Sequence, residues 1–220
     1  MRLIEDLRAE HDLIEQVAGS LRTFVEARVA GTGDPADGPR FMDFFRRYAG
    51  DYHHAREEEV LFRALVEQAE LPGERGPVAA LTGEHRRMEG LLDGLEPLLA
   101  SPLEDAAGRA RAQELAVDYS RSLWHHIDAE NSVVFPESQE RLRRFRIHDL
   151  PSRPLTGAEA AAREAGVALL GTYPPLSDPG VMRGDGCVAC PSYGTTCEGL
   201  EHEWWTDLEW EDMRERMVGD

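Results

Sequence analysis

The stretch HHAREEEVLF, residues 53–62, decides our interpretation of this chain, and HIDAENSVVF, residues 126–135, repeats its pattern. In both stretches a His is followed four residues later by a Glu and nine residues later by a Phe. Residues i and i+4 of a helix share one face, so each stretch points an imidazole and a carboxylate in the same direction. The surrounding face is apolar, and a carboxylate in a core needs a partner. Two such pairs that face each other predict a metal-binding helical bundle.

Apolar residues at helical spacing predict four long helices around this pattern. Their expected ranges are 3–30, 40–69, 77–100 and 103–136, with a continuation of the last to residue 145. Gly and Pro residues mark the connections at 31–39 and 71–73. Long amphipathic helices with short connections predict an all-α fold, an up-down-up-down four-helix bundle.

The first and third helices also carry a His on the apolar stripe, and in each the preceding residue is Glu: Glu10-His11 and Glu84-His85. Two similar helix hairpins, related by a pseudo-twofold axis, would each supply two His and one Glu. The six predicted metal ligands are His11, His53, Glu57, His85, His126 and Glu130.

Imidazole and carboxylate donors without thiolate suit iron or manganese, and zinc is also allowed. Six side chains exceed the four ligands of one tetrahedral zinc, so two metals bridged by Glu57 and Glu130 use the set better.

Other polar residues near these ligands receive different assignments. We assign His54 and His125 to the flanks of the ligand set or to positions that hydrogen-bond its members, and Glu58 and Glu59 to a solvated face. Glu15 and Glu89 are either hydrogen-bond partners of ligand imidazoles or exposed. Three tyrosines are expected mainly to pack: Tyr48, Tyr52 and Tyr119.

Composition excludes several classes of protein. The 220 residues carry a net charge of −18, which argues against nucleic-acid binding and against a polybasic membrane contact. No apolar run is long enough for a transmembrane helix, and the N-terminus lacks the apolar core of a signal peptide. All basic residues are Arg, which excludes Schiff-base chemistry on Lys. With only three Cys, all late in the chain, a cytoplasmic location is expected.

The chain changes character after residue 149. We expect residues 1–149 to form the bundle and residues 150–220 to form an acidic, mostly irregular extension with one short helix at 157–170. Four residues of this extension could bind zinc: Cys187, Cys190, Cys197 and His202. A redox pair with a free thiol, or unligated cysteines, fit equally. Three tryptophans lie among acidic residues, which predicts docking on the bundle or on a partner protein: Trp204, Trp205 and Trp210.

The His-x-x-x-Glu spacing differs from the Glu-x-x-His of ferritin-like bundles. Together with the lone His on the other two helices, and Phe135-Pro136 after the second motif, it resembles the hemerythrin-like (HHE cation-binding) family over residues 1–137. The resemblance implies that the six residues above are di-iron ligands. In the first motif Arg63 follows Phe62, so that Phe-Pro is absent.

One position departs from the oxygen-carrying hemerythrins that this chain resembles. Those proteins have a second His one turn after the ligand of the third helix, where this chain has Glu89. The set of four His and two Glu is more similar to family members tied to nitric-oxide stress, iron-centre repair and iron sensing. More carboxylate should favour ferric iron and make a reversible oxygen adduct short-lived.

Three functions follow as expectations. The first is a non-haem di-iron protein that binds O2, NO or iron itself in stress response, sensing or iron handling. The second is a di-iron oxidase or oxygenase that acts on a small organic or peptide substrate. The third is a regulatory module whose stability depends on metal and whose extension binds a protein partner.

Overall fold

The computed structural model describes residues 1–103, 105–178 and 181, and in this part of the chain all regular structure is helical. Helix α1 spans Arg2–Val29 and α3 spans Gly76–Ala100. Helix α2 runs through four consecutive segments: Asp37–Asp43, Phe44–His54, Glu57–Phe62 and Arg63–Glu67. Helix α4 runs through three: Ala106–Ala129, Glu130–Val134 and Phe135–Arg144. Helix α5 spans Gly157–Thr172.

The expected helix ranges agree with these bounds apart from shifts at the ends. Helix α2 begins three residues before the predicted start because Pro39 is tolerated in a first turn. Helix α3 continues through Pro97 to its end. Helix α4 begins at Ala106, three residues after the predicted start, because the Asp105 carboxylate caps it by accepting the Gly108 amide at 2.7 Å.

Two helices change their winding where the predicted ligands lie. The segments Phe44–His54, Glu57–Phe62 and Glu130–Val134 have π-helical hydrogen bonding. Such turns are rare and are frequent at functional sites. The first segment ends one residue after His53, and the other two begin at Glu57 and Glu130. Within the described residues, the π-helical winding therefore lies in the two helices that carry the His-x-x-x-Glu pattern.

A layer of polar residues separates two apolar clusters. We call the larger one the upper core; it includes Ile14, Phe24, Phe45, Leu92, Leu95, Tyr119 and Leu123. The smaller one, the lower core, includes Leu3, Leu7, Leu61, Leu65, Leu81, Phe135 and Leu142. Along α1 and α3 the chain passes from the lower core to the upper core, and along α2 and α4 it passes back. An up-down-up-down bundle, as predicted, would produce this alternation.

The described part of the extension joins the upper core instead of forming a second one, through Ala162, Leu169 and Tyr173. Helix α5 packs against α1 and α2, and its Gly166 lies so close to α2 that any Cβ there would overlap the Phe44 ring. After α5, the chain follows α1, where the Leu176 amide donates to the Gly19 carbonyl at 3.2 Å. Residues 150–178 are thus fastened mainly to the first half of the bundle, and Asp178 also accepts a hydrogen bond from Arg121 of α4 at 2.8 Å.

Two further expectations concern residues in or beyond the extension. Cys187, Cys190, Cys197, His202 and the three late tryptophans lie outside the described residues, so their zinc and docking roles stay predictions. In the part of the chain that is described, no helix combines the length and the apolar character needed to cross a membrane.

Candidate metal centre

The polar layer brings together all six predicted ligands, and each of them is at most 3% exposed. Nε2 of His11 lies 3.0 Å from Nε2 of His53. Nε2 of His85 lies 2.9 Å from Nε2 of His126. The first pair comes from α1 and α2 and the second from α3 and α4. The two helix hairpins of the sequence repeat therefore each present one pair of imidazoles.

The two carboxylates lie between the imidazole pairs. Oε1 of Glu57 is 3.2 Å from Nε2 of His53, and its Oε2 is 3.5 Å from Nε2 of His85. Oε2 of Glu130 is 3.2 Å from Nε2 of His11, and its Oε1 is 3.4 Å from Nε2 of His126. Each carboxylate thus turns one oxygen toward each pair, which is the arrangement that a bridging carboxylate needs.

The outward nitrogen of every imidazole has a partner on a neighbouring helix. Nδ1 of His53 lies 2.8 Å from a Glu10 oxygen, and Nδ1 of His126 lies 2.8 Å from a Glu84 oxygen. The other two contacts are His85 Nδ1 to Glu58 Oε1 at 2.6 Å and His11 Nδ1 to Asn131 Oδ1 at 3.1 Å. These contacts run once around the bundle and form a closed ring. A side chain of α1 contacts the imidazole on α2, one of α2 contacts that on α3, one of α3 contacts that on α4, and one of α4 contacts that on α1.

This ring assigns the protons of the imidazoles. A carboxylate or amide oxygen only accepts, so each Nδ1 donates and the Nε2 of a neutral ring carries a lone pair. Lone pairs that face each other across 2.9 to 3.0 Å repel unless a cation or an extra proton lies between them. In addition, the four oxygens of Glu57 and Glu130 are buried without a hydrogen-bond partner. The inward atoms therefore have the donor chemistry of a metal site whose ligands are oriented by outer hydrogen bonds.

Burial and neighbouring charges shift the pKa values of the buried imidazoles and carboxylates in different directions. Burial opposes protonation of His53, but the Glu57 charge and the Glu10 hydrogen bond outweigh it and raise the pKa of His53 to about 9. Burial and the neighbouring His53 lower the pKa of His11 to about 3. Burial works against ionisation of Glu57, yet His53 holds its pKa well below the usual range. Burial and the Glu57 charge raise the pKa of Glu130 well above the usual range.

Aromatic rings complete the repeat and explain the shared Phe of the two motifs. Phe135 stacks on His11 with ring centroids 5.4 Å apart, and Phe62 stacks on His85 at 6.2 Å. Each Phe therefore packs on the lone His of the helix that follows in the ring. The position nine residues after the ligand His was visible in the sequence, but its contact was not.

One assignment from the sequence is wrong. Glu58 is not simply solvated, because it binds His85 while its side chain is 39% exposed. His54 lies close to the ligands: a donor atom of its ring is within 4.8 Å of donor atoms of Glu57, His85 and His126. A second group at the same spacing contains His11, His53, Glu57 and Glu130.

The remaining candidates lie outside these two groups. Glu89 is exposed, which is one of the two alternatives given for it. The Nδ1 atoms of the four ligand imidazoles contact residues other than Glu15 and Glu89. His125 belongs to neither group of converging donors. The expected packing role of the tyrosines agrees with their burial in the upper core, where Tyr119 is 1% exposed.

Sequence reasoning missed the outer partners Glu10, Glu84 and Asn131. A signal existed, since a Glu directly precedes the lone His in both half-repeats. The Glu and the His of each pair point in different directions, however, so that Glu10 contacts α2 while His11 points inward. Contacts of this kind depend on the rotation of one helix against the next.

A cavity of about 490 Å³ lies between α2 and α3 beside this centre. His54 and His85 form its inner end, and Glu89 and Arg46 line it as well. Its apolar wall consists of Met42, Phe45, Met88, Leu92 and Tyr119. The space is large enough for a small organic molecule.

In a comparison with protein families, the Hemerythrin HHE cation binding domain model matches residues 2–138, which include every predicted ligand and all four outer partners. Comparisons with curated proteins and with solved structures return no match.

Proposed function

This chain belongs to the hemerythrin HHE cation-binding family, and from that premise we propose that it is a non-haem di-iron protein that binds O2, NO or iron itself. The observation that carries the proposal is the division of each carboxylate between the two imidazole pairs. Glu57 turns Oε1 toward His53 and Oε2 toward His85. A single ion beside one pair would leave half of these oxygens buried without a partner, whereas two ions use all of them.

The residues fit iron. Imidazole with carboxylate, without thiolate, is a donor set that non-haem iron accepts. His11 and His53 would hold one ion, and His85 and His126 the other, with Glu57 and Glu130 shared. The outer ring of hydrogen bonds keeps each Nε2 directed inward and makes the imidazoles better donors.

When bound, a pair of neighbouring irons supplies electrons to a diatomic ligand such as O2 or NO. The chain contributes a closed, apolar setting above and below the ions, because the two cores cover the polar layer. Glu89 is exposed at the position where oxygen carriers have a further His, so α3 supplies one imidazole and not two. The six predicted ligands are thereby richer in carboxylate than those of oxygen carriers, which supports stress response, sensing or iron handling over reversible oxygen transport.

The cavity beside His54 and His85 favours a second candidate, a di-iron oxidase or oxygenase with a small organic substrate. Its apolar wall would hold the body of such a molecule, and Arg46 and Glu89 would contact its polar groups. A diatomic ligand alone needs no space of about 490 Å³.

One experiment separates these candidates. The protein is loaded anaerobically with iron(II), its iron is counted, and O2 or NO is added while absorption spectra and oxygen consumption are recorded. Two irons per chain and one burst of oxygen consumption that matches the iron content support the first candidate. Fewer than two irons in the wild-type protein would contradict it.

Continued oxygen consumption with an added reductant and an organic molecule would support the second candidate. The variant Glu96→Trp places a large side chain at the cavity wall eleven residues after His85, away from the predicted ligands. It should stop that turnover and leave NO binding unchanged if the cavity holds the substrate.

A further inference from the structure

The Nε2 atom of His54 has no accessible surface and makes no hydrogen bond. A donor atom of the ring nevertheless lies within 4.8 Å of donor atoms of Glu57, His85 and His126. A buried nitrogen without a hydrogen bond lowers the stability of the fold by about 1–3 kcal/mol. For stability alone, an apolar side chain at this position would therefore be more favourable.

The second half of the bundle has an apolar residue at the equivalent position. In the half-repeat, position 54 corresponds to position 127, since both directly follow the ligand His of the His-x-x-x-Glu motif. Ile127 occupies it and is 1% exposed, within the upper core. The fold therefore tolerates an aliphatic residue at this point of the bundle, and His54 adds a donor atom that the fold itself does not require.

We propose that His54 is a further protein ligand of the metal beside His85 and His126, so that the two ions of the centre are not equivalent. The inference rests on the proposed di-iron function. The ion beside His85 would have five protein donors, from His54, His85, His126, Glu57 and Glu130, while the ion beside His11 would have four.

A packing role is the competing explanation. The His54 ring lies parallel to the His85 ring, with centroids 4.0 Å apart and an interplanar angle of 15°. Stacking alone could orient His85 without a bond from His54 to the metal. The test must therefore keep the ring and remove the nitrogen.

Four variants separate a ligand from a packing residue, and one of them, His54→Glu, replaces the imidazole with a carboxylate donor. His54→Phe keeps a ring that can stack but has no donor atom. His54→Ile copies the second half and makes the two positions alike. His125→Phe removes a His that also neighbours a ligand but belongs to neither group of converging donors.

Each protein is loaded with iron-57 and studied by Mössbauer spectroscopy and by competition with a chelator. The diferrous wild type should give two doublets of equal area. His54→Phe and His54→Ile should each bind one of the two irons at least about tenfold more weakly, a loss of the size found when a metal-site contact is removed. His125→Phe should match the wild type in both measurements.

Two results would overturn the assignment. One is His54→Phe with both irons bound at wild-type affinity and an unchanged pair of doublets. The other is equal iron loss in His54→Glu and His54→Phe, because a carboxylate donor at position 54 should hold the iron better than a phenyl ring does. Circular dichroism of the metal-free variants shows that the fold is kept. A wild-type protein with fewer than two irons would contradict the di-iron function itself, and this result is distinct because it appears before any variant is made.

Discussion

Glu10 binds His53 in the first half of the centre, and Glu84 binds His126 at the equivalent place in the second half. The surroundings of the two carboxylates differ. The Glu10 side chain is 13% exposed and also pairs with Arg56, a guanidinium that is itself 2% exposed. The Glu84 side chain is 38% exposed, and at the position equivalent to Arg56 the second half has Ala129. The same arrangement of inward-facing ligands is thus backed by the buried Glu10–Arg56 ion pair in the first half and by the partly solvated Glu84 carboxylate in the second.

The same comparison extends to the charges of the metal-free protein. In the first half, the raised pKa of His53 and the lowered pKa of Glu57 favour an imidazolium beside a carboxylate. In the second half, burial lowers the pKa of His126 and raises that of Glu130, and both shifts favour the neutral form. The surroundings therefore favour an ion pair between His53 and Glu57 in the first half and neutral forms of His126 and Glu130 in the second half, although the residue types are the same.

The largest expected effect concerns the residues that the halves share. Glu57→Ala removes an oxygen from both metal positions, whereas His11→Ala removes a nitrogen from one. We therefore expect Glu57→Ala to lower the iron content from two per chain to less than one, and His11→Ala to leave about one, as a bridging ligand serves both ions. Elemental analysis of protein purified after iron-replete expression measures both values.

Glu130→Ala should behave as Glu57→Ala does, because its oxygens are divided in the same way. His125→Phe is the control for a neighbouring imidazole outside the cluster. If the Glu57 and His11 variants lost the same amount of iron, the carboxylates would not bridge, and the two halves would act as separate sites.

Metal removal gives the next largest effect, since it leaves six polar groups in the core layer. Metal that binds only the folded state at about a thousand times its dissociation constant stabilises that state by about 4 kcal/mol. The melting temperature should therefore fall on the order of 10 °C on chelation. Differential scanning calorimetry measures the shift. An unchanged melting temperature would mean that the ion pair of the first half already satisfies the layer without metal.

The sequence predicted the inner donors and could not predict the supports that distinguish the halves. Helical periodicity placed His53 and Glu57 on one face, and the structure brings them together. It could not identify the partner of Glu10, because that contact depends on how α1 is rotated against α2. Periodicity also could not position α5, whose close contact with α2 depends on the missing side chain of Gly166 as well as on the buried Ala162 and Leu169. Periodicity describes one helix at a time, and these features belong to pairs of helices.

A smaller effect separates the two outer carboxylates. Glu10→Gln leaves the buried Arg56 charge without its carboxylate, while Glu84→Gln affects a partly solvated group. Removing one partner of a buried ion pair costs about 3 kcal/mol, and changing an exposed one costs less than about 1 kcal/mol. Urea unfolding of the metal-free variants should show this difference. Equal losses would mean that the contacts of Arg56 with the Tyr52 carbonyl and Ser152 hydroxyl are sufficient to hold it.

The smallest expected effect is that of replacing Glu159 at the start of α5. It tests whether α5 stabilises only the first half of the bundle. Glu159 accepts two hydrogen bonds from Arg153, at 2.7 and 2.8 Å, and closes a capping box with Thr156 at the start of the helix. The Arg153 bonds outweigh the effect of burial and lower the pKa of Glu159 to about 2. A carboxyl whose pKa is lowered on folding stabilises the fold above its unfolded pKa of about 4.5, and this contribution disappears as the pH falls toward 2.

The difference in stability between the wild type and Glu159→Gln should therefore be about 1 kcal/mol at neutral pH and shrink below about pH 4.5. Thr156→Ala is the matched control, because it loses the capping hydroxyl but keeps the carboxylate, so its deficit should vary little with pH. Since α5 packs against α1 and α2, hydrogen exchange in Glu159→Gln should increase along α2 and stay unchanged along α3. Equal increases along both helices would show that α5 stabilises the whole bundle, and the unequal support of the two halves would then arise only from Arg56 and its ion pair with Glu10.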